Sequence, residues 1–250
     1  MPERLDTYAP VRPVAYLLGQ VASQVLTCPV RHGATGALVS PDAAPAAQTI
    51  TITDPSGVEV VSAAAVGIVG SVATYTLTGL DLRTDIGAGW TVAWSLTIGG
   101  VVYTWQMEAY LCAYVPSCPI SVLDLFVREP ELRQRVPQAQ SERGDNTGWQ
   151  PQIDDAYYDL IQALIDRGVE VWHIRGLTGL REWLRTRTLM NCCRALSTSS
   201  GDAWDRKAGV YYSAHKQADG SMVVQLDTDD PTVRTGRGPF RLAPVGRPLW

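Results

Sequence analysis

The stretch WTVAWSLTIGGVVYTWQME, residues 90–108, decides the fold of the first half of the chain. Apolar side chains occupy alternate positions in both of its arms: Trp90, Val92, Trp94, Leu96 and Ile98 in the first, and Val101, Tyr103, Trp105 and Met107 in the second. Gly99 and Gly100 lie between the arms, and glycine accepts the positive φ that a two-residue hairpin turn requires. The pattern therefore predicts an antiparallel hairpin with one buried face.

More strands are predicted on the N-terminal side of this hairpin. Residues 49–53 (TITIT) and 72–78 alternate between polar and apolar side chains. Residues 54–57 (DPSG) have the composition of a turn, because proline fixes φ and glycine accepts a positive φ. Several short antiparallel strands of this kind predict a small immunoglobulin-like β-sandwich over residues 49–115.

The segments on either side of this module show little periodicity. Residues 1–48 are rich in Pro, Ala and Gly and include the linker-like run SPDAAPAA at 40–47, so we expect an extended N-terminal arm. Residues 116–152 become charged and rich in Gln after a brief apolar run at 122–127. We interpret them as a connector with one helical turn and a mobile loop.

From residue 153 the apolar period becomes 3.6, which predicts a small domain of three helices over residues 153–220. Asp154 or Asp155 is the predicted N-cap of the first helix, and Gly168 its stop. The second helix covers residues 179–197, and residues 199–202 (SSGD) end it and cap the third. The predicted fold class is therefore α+β, with an antiparallel β-sandwich followed by a helical domain and with extended arms at both ends.

Residues 221–250 are predicted to form a strand and a docking tail. The strand, residues 222–227 (MVVQLD), has no partner in its sequence neighbourhood, so we expect it to pair with another protein. From residue 231 onward the tail carries four arginines, four prolines and no acidic residue. We expect it to bind a portal protein or a neighbouring subunit through these side chains: Arg234, Arg237, Phe240, Arg241, Leu242, Arg247, Leu249 and Trp250.

The composition excludes several classes of protein. With 250 residues and a hydrophobic fraction of 46%, the chain has enough apolar side chains to build a core. Its net charge of −4 and isoelectric point near 5.4 argue against non-specific nucleic-acid binding as its main activity. Residues 1–10 lack the apolar segment of a signal peptide, and the run at 63–80 is too short and too rich in Thr for a membrane helix.

The sequence contains no specific catalytic or metal-binding motif. Its five cysteines form no CxxC pair, and with three histidines they match no zinc pattern. A disulfide between Cys112 and Cys118 stays open. His173 and His215 are the candidate bases, but a lone histidine on an aromatic stripe is more often a packing residue. We expect a protein that is not an enzyme and has no cofactor or metal.

Four arginines distinguish the second predicted helix: Arg181, Arg185, Arg187 and Arg194. We assign them to one face, opposite the apolar stripe. Such a face is either solvated or lies against a neighbouring subunit or packed DNA, where attraction to phosphates would depend strongly on salt.

The helical segment resembles the core of head-to-tail adaptor proteins of tailed bacteriophages, also called head-completion or connector proteins. The residues that carry the resemblance are YYDLI at 157–161, LRTRTL at 184–189, and GDAWDRKA at 201–208 followed by Tyr211 and Tyr212. The preceding β-module resembles the immunoglobulin-like decorations of phage structural proteins.

This resemblance implies a structural virion protein at the phage neck, made in the host cytoplasm. Subunits of that family form a ring, usually twelvefold, beneath the portal. The implied partners are the portal protein, a tail or head-closure protein and further copies of the chain, with packaged DNA contacted non-specifically and no membrane involved. Two alternatives remain: another phage tail or baseplate adaptor, and a carbohydrate-binding protein that stacks sugars on Trp94 and Trp105.

Overall fold

A computed structural model describes residues 8–10, 15–20, 23–33, 37–43, 48–78, 86–135, 148–219, 223–226 and 241–244. The chain divides into two compact units, Met1–Val115 and Pro116–Trp250. The described part of the first unit is built from strands, and that of the second from helices and a small sheet. The fold class is therefore α+β, as predicted.

Nine strands form two sheets in the described part of the first unit. Their bounds are Tyr8–Pro10 (β1), Ala15–Gly19 (β2), Gln24–His32 (β3), Thr49–Thr53 (β4), Glu59–Ala65 (β5), Gly67–Val69 (β6), Val72–Leu77 (β7), Gly87–Ile98 (β8) and Val101–Cys112 (β9). One sheet has the order β1-β3-β7-β6, and the other has the order β2-β9-β8-β4-β5. β2 runs parallel to β9, whereas the other described neighbours in these two sheets are antiparallel.

The predicted hairpin is formed by β8 and β9. Trp94 pairs with Trp105, and Ile98 pairs with Val101 across the turn. Gly99 and Gly100 have φ values of 59° and 78°, which explains why glycine occupies both positions. The apolar row of β8 is buried along its whole length. Alternation in the sequence therefore predicts this register and this buried face.

The two sheets enclose one apolar core, to which Trp90 and Trp94 contribute the largest fully buried side chains. Trp94 Nε1 donates a hydrogen bond to the Tyr16 hydroxyl (3.0 Å), which donates in turn to the Thr27 carbonyl (2.6 Å). These bonds lead from β8 through β2 to β3, and so join the two sheets across the core.

The extended arm predicted for residues 1–48 is wrong where the structure describes this segment. β2 and β3 are strands of the two sheets, and Leu18, Leu26 and Val30 are buried in the core. The inward row of β3 includes Cys28, and Pro29 follows it, so a search for Val, Ile and aromatic alternation does not detect this strand.

A buried glutamine fixes the turn end of the hairpin. Gln48 Oε1 accepts a hydrogen bond from the Thr97 amide (2.8 Å), and its Nε2 donates to the Thr97 carbonyl (3.3 Å) and the Asp42 carbonyl (3.0 Å). The Asp42 carboxylate accepts hydrogen bonds from the amides of Gly99 and Gly100 (3.0 and 2.8 Å). Residues before β4 therefore hold the tip of β8 and β9 in place.

Four α-helices lie in the described part of the second unit: Val122–Arg128 (α1), Gln150–Asp166 (α2), Arg181–Leu196 (α3) and Ala203–Asp219 (α4). Short 3-10 helices occupy Pro130–Gln134, Val171–His173 and Thr178–Leu180. Strands Ile174–Gly176 (β10), Val223–Leu226 (β11) and Arg241–Pro244 (β12) form a sheet in the order β10-β11-β12.

α3 is the central helix of this unit, because α1, α2 and α4 all pack against it. Even its polar Thr186 and Thr188 are buried. Their hydroxyls donate to the carbonyls of Glu182 (2.9 Å) and Leu184 (2.8 Å), one turn earlier in the same helix. This pairing allows two threonines to lie in an apolar environment without an unsatisfied hydroxyl.

Residues at or next to the helix ends explain where α2 begins and ends and where α4 begins. α2 begins at Gln150 rather than at the predicted Asp154 or Asp155, because Pro151 suits the first turn of a helix. Gly168 follows its end with φ 74°, as predicted. The predicted cap of α4 is confirmed, since Asp202 Oδ1 accepts a hydrogen bond from the Asp205 amide (2.7 Å). Amide hydrogen bonds lower the pKa of Asp202 to about 2.

Two predictions for this half of the chain need correction. The connector predicted at 116–152 contains α1, and its Trp149 is buried and donates a hydrogen bond through Nε1 to the Leu132 carbonyl (2.9 Å). β11, predicted to lack a partner in its own chain, pairs with β10 and β12. β10 lies far before β11 in sequence, and residues 227–240 separate β11 from β12, so local alternation does not reveal either partner. Cys112 and Cys118 are both free thiols.

Candidate assembly surfaces and the polar groove of the helical unit

The structure does not bring the four predicted arginines together on one face of α3. At about 100° per residue, Arg181 and Arg185 lie on one side of the helix and Arg187 and Arg194 lie more than about 100° away. Arg181 forms an ion pair with Asp124 of α1, whereas Arg187 reaches Asp159 of α2. The four side chains therefore belong to two separate sides of α3.

Ion pairs within the chain engage three of these arginines. Arg187 donates to Asp159 through Nε (3.1 Å) and Nη2 (2.8 Å), and Arg185 pairs with Glu182 one turn earlier. Arg194 is exposed and makes no ion pair with any residue that the structure describes. Arg181 and Arg187 consequently join α3 to its neighbours, whereas the pair of Arg185 lies within α3. Arg194 is the one best placed to meet an outside anion.

The pKa of Asp124 reflects both its burial and its hydrogen-bond partners. Burial by itself would raise the pKa of this carboxyl group, but hydrogen bonds from Arg181 and Ser121 outweigh burial and lower the pKa. Asp124 also completes a capping box at the start of α1, because it accepts hydrogen bonds from the Ser121 amide (2.8 Å) and hydroxyl (3.0 Å). One carboxylate thus orients α1 and ties it to α3.

A polar groove of about 440 Å³ lies between α2, α3 and α4. Apart from Ala163, its lining consists of charged, amide and aromatic side chains from the three helices and the end of α2: Asp159, Gln162, Asp166, Arg167, Trp183, Arg187, Tyr212, His215, Lys216 and Asp219. Arg167 closes one end by donating to both oxygens of Asp219 (2.8 Å each). Asp219 also accepts a hydrogen bond from Trp183 Nε1 (2.9 Å), so one carboxylate joins α2, α3 and α4.

His215, one of the two candidate bases, lies in this groove. Its ring meets Trp183 edge to face with centroids 4.4 Å apart, and its Nδ1 is buried without a hydrogen-bond partner among the described residues. Desolvation, followed by the positive charge of Arg187, lowers the pKa of His215. The neutral ring acts here as a packing group between α3 and α4.

The other candidate base, His173, lies in the 3-10 helix before β10. Its Nε2 is 3.5 Å from Glu170, and its ring centroid is 6.1 Å from that of Trp172. Among the described residues, no group of three or more His, Cys, Asp or Glu side chains is arranged to hold a metal ion.

Sequence reasoning missed a second polar cluster, which joins α1 to α4. Glu129, the residue after α1, accepts hydrogen bonds from the Tyr211 hydroxyl (2.7 Å) and from Lys207 Nζ (2.7 Å). Lys207 Nζ also lies 4.7 Å from the centre of the Trp204 ring, within cation–π range. The GDAWDRKA run contains Trp204 and Lys207, but nothing in its spacing points to Glu129, more than seventy residues away.

α1 presents an exposed apolar face, which we define as Leu123, Phe126 and Val127. Leu123 and Val127 are 67% and 79% exposed, and their i, i+4 spacing places them side by side. Phe126 is half-buried beside them, with the Arg133 guanidinium 5.5 Å above its ring. In the sequence, this face is indicated by the apolar run at 122–127. Leu125 is the one residue of that run that is fully buried, so most of the run is left outside the core.

The predicted docking tail lies largely outside the described residues. Six of its named residues fall there: Arg234, Arg237, Phe240, Arg247, Leu249 and Trp250. Arg241 and Leu242 belong to β12.

No described helix is long and apolar enough to span a membrane.

Comparisons with known proteins give little information. No family model matches the chain, and no curated protein does. Seven chains of solved structures match, among them an I-band fragment from titin with 10% sequence identity and a TM-score of 0.22. The match covers 42% of this chain and 32% of the fragment. The fold and the contacts described above therefore carry the functional argument.

Proposed function

We propose that the protein is a structural subunit of a tailed-phage neck, which forms a ring between portal and tail around the DNA passage. The observation that carries the proposal is the apolar face of α1, on which Leu123 and Val127 are exposed side by side. Adjacent exposed apolar side chains of this kind mark surfaces that bind other proteins. In the proposed ring, a neighbouring subunit or the portal covers this face.

The order of the helical elements supports the proposal. α2, a short link, the buried α3 and an Asp202-capped α4 follow one another as in the adaptor proteins that the sequence resembles. In the proposed ring, the ion pairs of Arg181 and Arg187 keep the helices together, and Arg194 is available to a neighbouring subunit or to packed DNA. Such a contact with DNA would be non-specific and would weaken with salt.

Strand order favours an immunoglobulin-like identity for the first unit. Immunoglobulin domains have the sheets A-B-E-D and G-F-C, with strands lettered in chain order. These correspond here to β1-β3-β7-β6 and to the β9-β8-β4 part of the other sheet, in which β2 and β5 are additional edge strands. Antibody domains add a disulfide between strands B and F, whereas Cys28 of β3 is a buried free thiol. We propose that this module decorates the ring or contacts a tail protein.

The test is assembly of the purified full chain, alone and with its cognate portal protein. Mass photometry and negative-stain electron microscopy should reveal rings that bind portal. Leu123→Asp combined with Val127→Asp should abolish the rings without changing the cooperative unfolding of the monomer. Val102→Asp is the matched control, because Val102 is 62% exposed but lies on β9 of the other unit. Normal assembly of the double variant would refute the role of the α1 face.

One observation weighs against the carbohydrate-binding alternative. Trp94 is fully buried and hydrogen-bonded to Tyr16, so it cannot stack on a sugar. Trp105 packs against the core and stacks on Tyr103, with centroids 5.7 Å apart. A tail or baseplate adaptor remains the second candidate, and binding to a tail protein but not to portal would favour it.

A further inference from the structure

Positive charge surrounds the apolar face of α1. Arg128 lies in the last turn of this helix, and the guanidinium of Arg133 lies 5.5 Å above the Phe126 ring. Both arginines are exposed, and neither forms an ion pair with a residue that the structure describes. Asp124 lies on the same helix, but its side chain is 17% exposed and that of its partner Arg181 is 53% exposed. The cation is therefore the member of this pair that faces the solvent.

The other carboxylates of residues 116–135 are bound by a cation from α4. Glu129 accepts a hydrogen bond from Lys207 Nζ at 2.7 Å, and the exposed Glu131 lies 3.6 Å from the same atom. Cations from α3 and α4 thus engage all three carboxylates of this segment. Its arginines are left to give the surface around α1 a positive charge.

α2 presents the opposite charge. Its 17 residues include four aspartates and no lysine or arginine. Asp154, Asp155 and Asp166 are exposed, and Tyr158 is half-buried. At about 100° per residue, these four positions fall within about 120° of one another around the helix axis. We call them the acidic face of α2.

The two faces lie on different sides of α3. Arg181 of α3 reaches α1 and Arg187 reaches α2, and six residues at about 100° each place these arginines about 120° apart. The outward faces of α1 and α2 therefore point in different directions and do not meet within one copy. Two copies can bring them together in a head-to-tail contact, which closes into a ring when the rotation permits.

We propose that in the ring the apolar face of α1, together with Arg128 and Arg133, binds the acidic face of α2 of the next subunit. This inference rests on the proposed function, because it requires neighbouring copies. In such a contact Leu123 and Val127 pack against Tyr158, and the arginines pair with the carboxylates at the rim. A second α1 is a poorer partner, because it would bring arginines against arginines.

Charge reversal on each face tests this contact in the full chain. One variant carries Arg128→Glu and Arg133→Glu on the side of α1. The other carries Asp155→Lys and Asp166→Lys on the side of α2. Each variant places like charges opposite each other, so mass photometry should show monomers under the conditions in which the wild type forms rings. All four substitutions in one chain should restore the rings, because every contact again joins opposite charges.

Arg206→Glu is the matched control, because Arg206 is exposed on α4 outside both faces. It should assemble like the wild type. Circular dichroism and thermal unfolding identify variants that fold. Neutral versions, with Gln for Arg or Asn for Asp, replace a reversed variant that does not fold, and they should shift assembly to higher protein concentration.

Two results would overturn this contact and leave the proposed function intact. In the first, both reversed variants form rings as readily as the wild type. In the second, each reversal abolishes the rings but the folded chain with all four substitutions stays monomeric, which would mean that the two faces meet other surfaces. A wild-type chain that forms no rings, either alone or with portal, would overturn the contact and the proposed function together.

Discussion

The two units of the chain are stabilised by different interactions. In the first unit, two sheets close over a continuous apolar core that contains Trp90 and Trp94. In the second unit, carboxylates join the helices at several points: Asp159 to Arg187, Asp219 to Arg167 and Glu129 to Lys207. The first unit therefore depends on buried area, and the second depends in addition on charges that are partly exposed.

This difference predicts how each unit responds to substitution. Removing buried apolar atoms leaves a cavity that the surrounding structure fills only in part, so the cost is large and local. Removing one partner of a half-exposed ion pair costs less, because water solvates the remaining charge. A substitution series across both units should therefore separate into two groups.

The largest effect is expected in the first unit. Trp94→Ala should lower its free energy of unfolding by about 3–5 kcal/mol, because the side chain is fully buried and its Nε1 donates to Tyr16. The measurement is urea denaturation of the full chain, with hydrogen exchange of β8 and α3 peptides to assign each transition to its unit.

Val102→Ala is the control for this substitution. Val102 lies on the neighbouring strand but is 62% exposed, so its loss should change the free energy of unfolding by less than about 0.5 kcal/mol. A Trp94→Ala variant as stable as the control would show that apolar burial does not dominate the first unit.

The sequence predicts the hairpin because all the information needed lies within about twenty residues: two alternating arms and a Gly-Gly turn. It does not predict β2, which is a five-residue strand that pairs in parallel with β9, ninety residues later in the chain. The same limit applies to β11, because its partner β10 lies more than forty residues earlier in the chain. Local periodicity detects an element by its own pattern and gives no information on distant partners.

For the candidate site, residue types are predicted better than their arrangement. Four arginines on one helix are visible in the sequence, but their assignment to one face neglects their angular separation. Their carboxylate partners, Asp124 and Asp159, lie on other helices and become apparent only in the fold. Whether the tail residues from Arg234 onward bind a partner remains a prediction.

An intermediate effect is expected at the junction of α1 and α4. Glu129→Ala removes the acceptor for both Tyr211 and Lys207, and should lower the free energy of unfolding of the helical unit by about 2 kcal/mol. This figure allows for solvent screening, since the Lys207 side chain is 33% exposed. Faster hydrogen exchange in α4, with unchanged exchange in β8, would show that the loss of stability is confined to the helical unit.

Glu131→Ala provides the comparison for this prediction. Glu131 is 62% exposed and lies 3.6 Å from the same Lys207, so its removal should cost less than about 0.5 kcal/mol. Equal losses in the two variants would mean that the charge on Lys207, rather than the specific contacts of Glu129, determines the stability of the junction.

The smallest effect is expected from His215, and it concerns pH. Burial lowers the pKa of His215 below its ordinary value of 6.5, and the nearby Arg187 lowers it further. The unfolded chain therefore takes up this proton more readily than the folded one. The stability that the neutral ring contributes is complete above pH 6.5 and decreases as the pH falls through the lowered pKa.

His215→Gln removes this titration while keeping a polar side chain in the groove. The variant should lose less stability than the wild type when the pH is lowered from 7 through the lowered pKa of His215, as measured by the urea midpoint of the helical unit at each pH. His173→Gln is measured alongside it as the comparison, because His173 lies beside Glu170, outside the groove. If His215→Gln and the wild type lose the same stability as the pH is lowered, His215 does not contribute to the pH dependence. Carboxylates in ion pairs, such as Asp219, would then account for the loss of stability of the helical unit in acid.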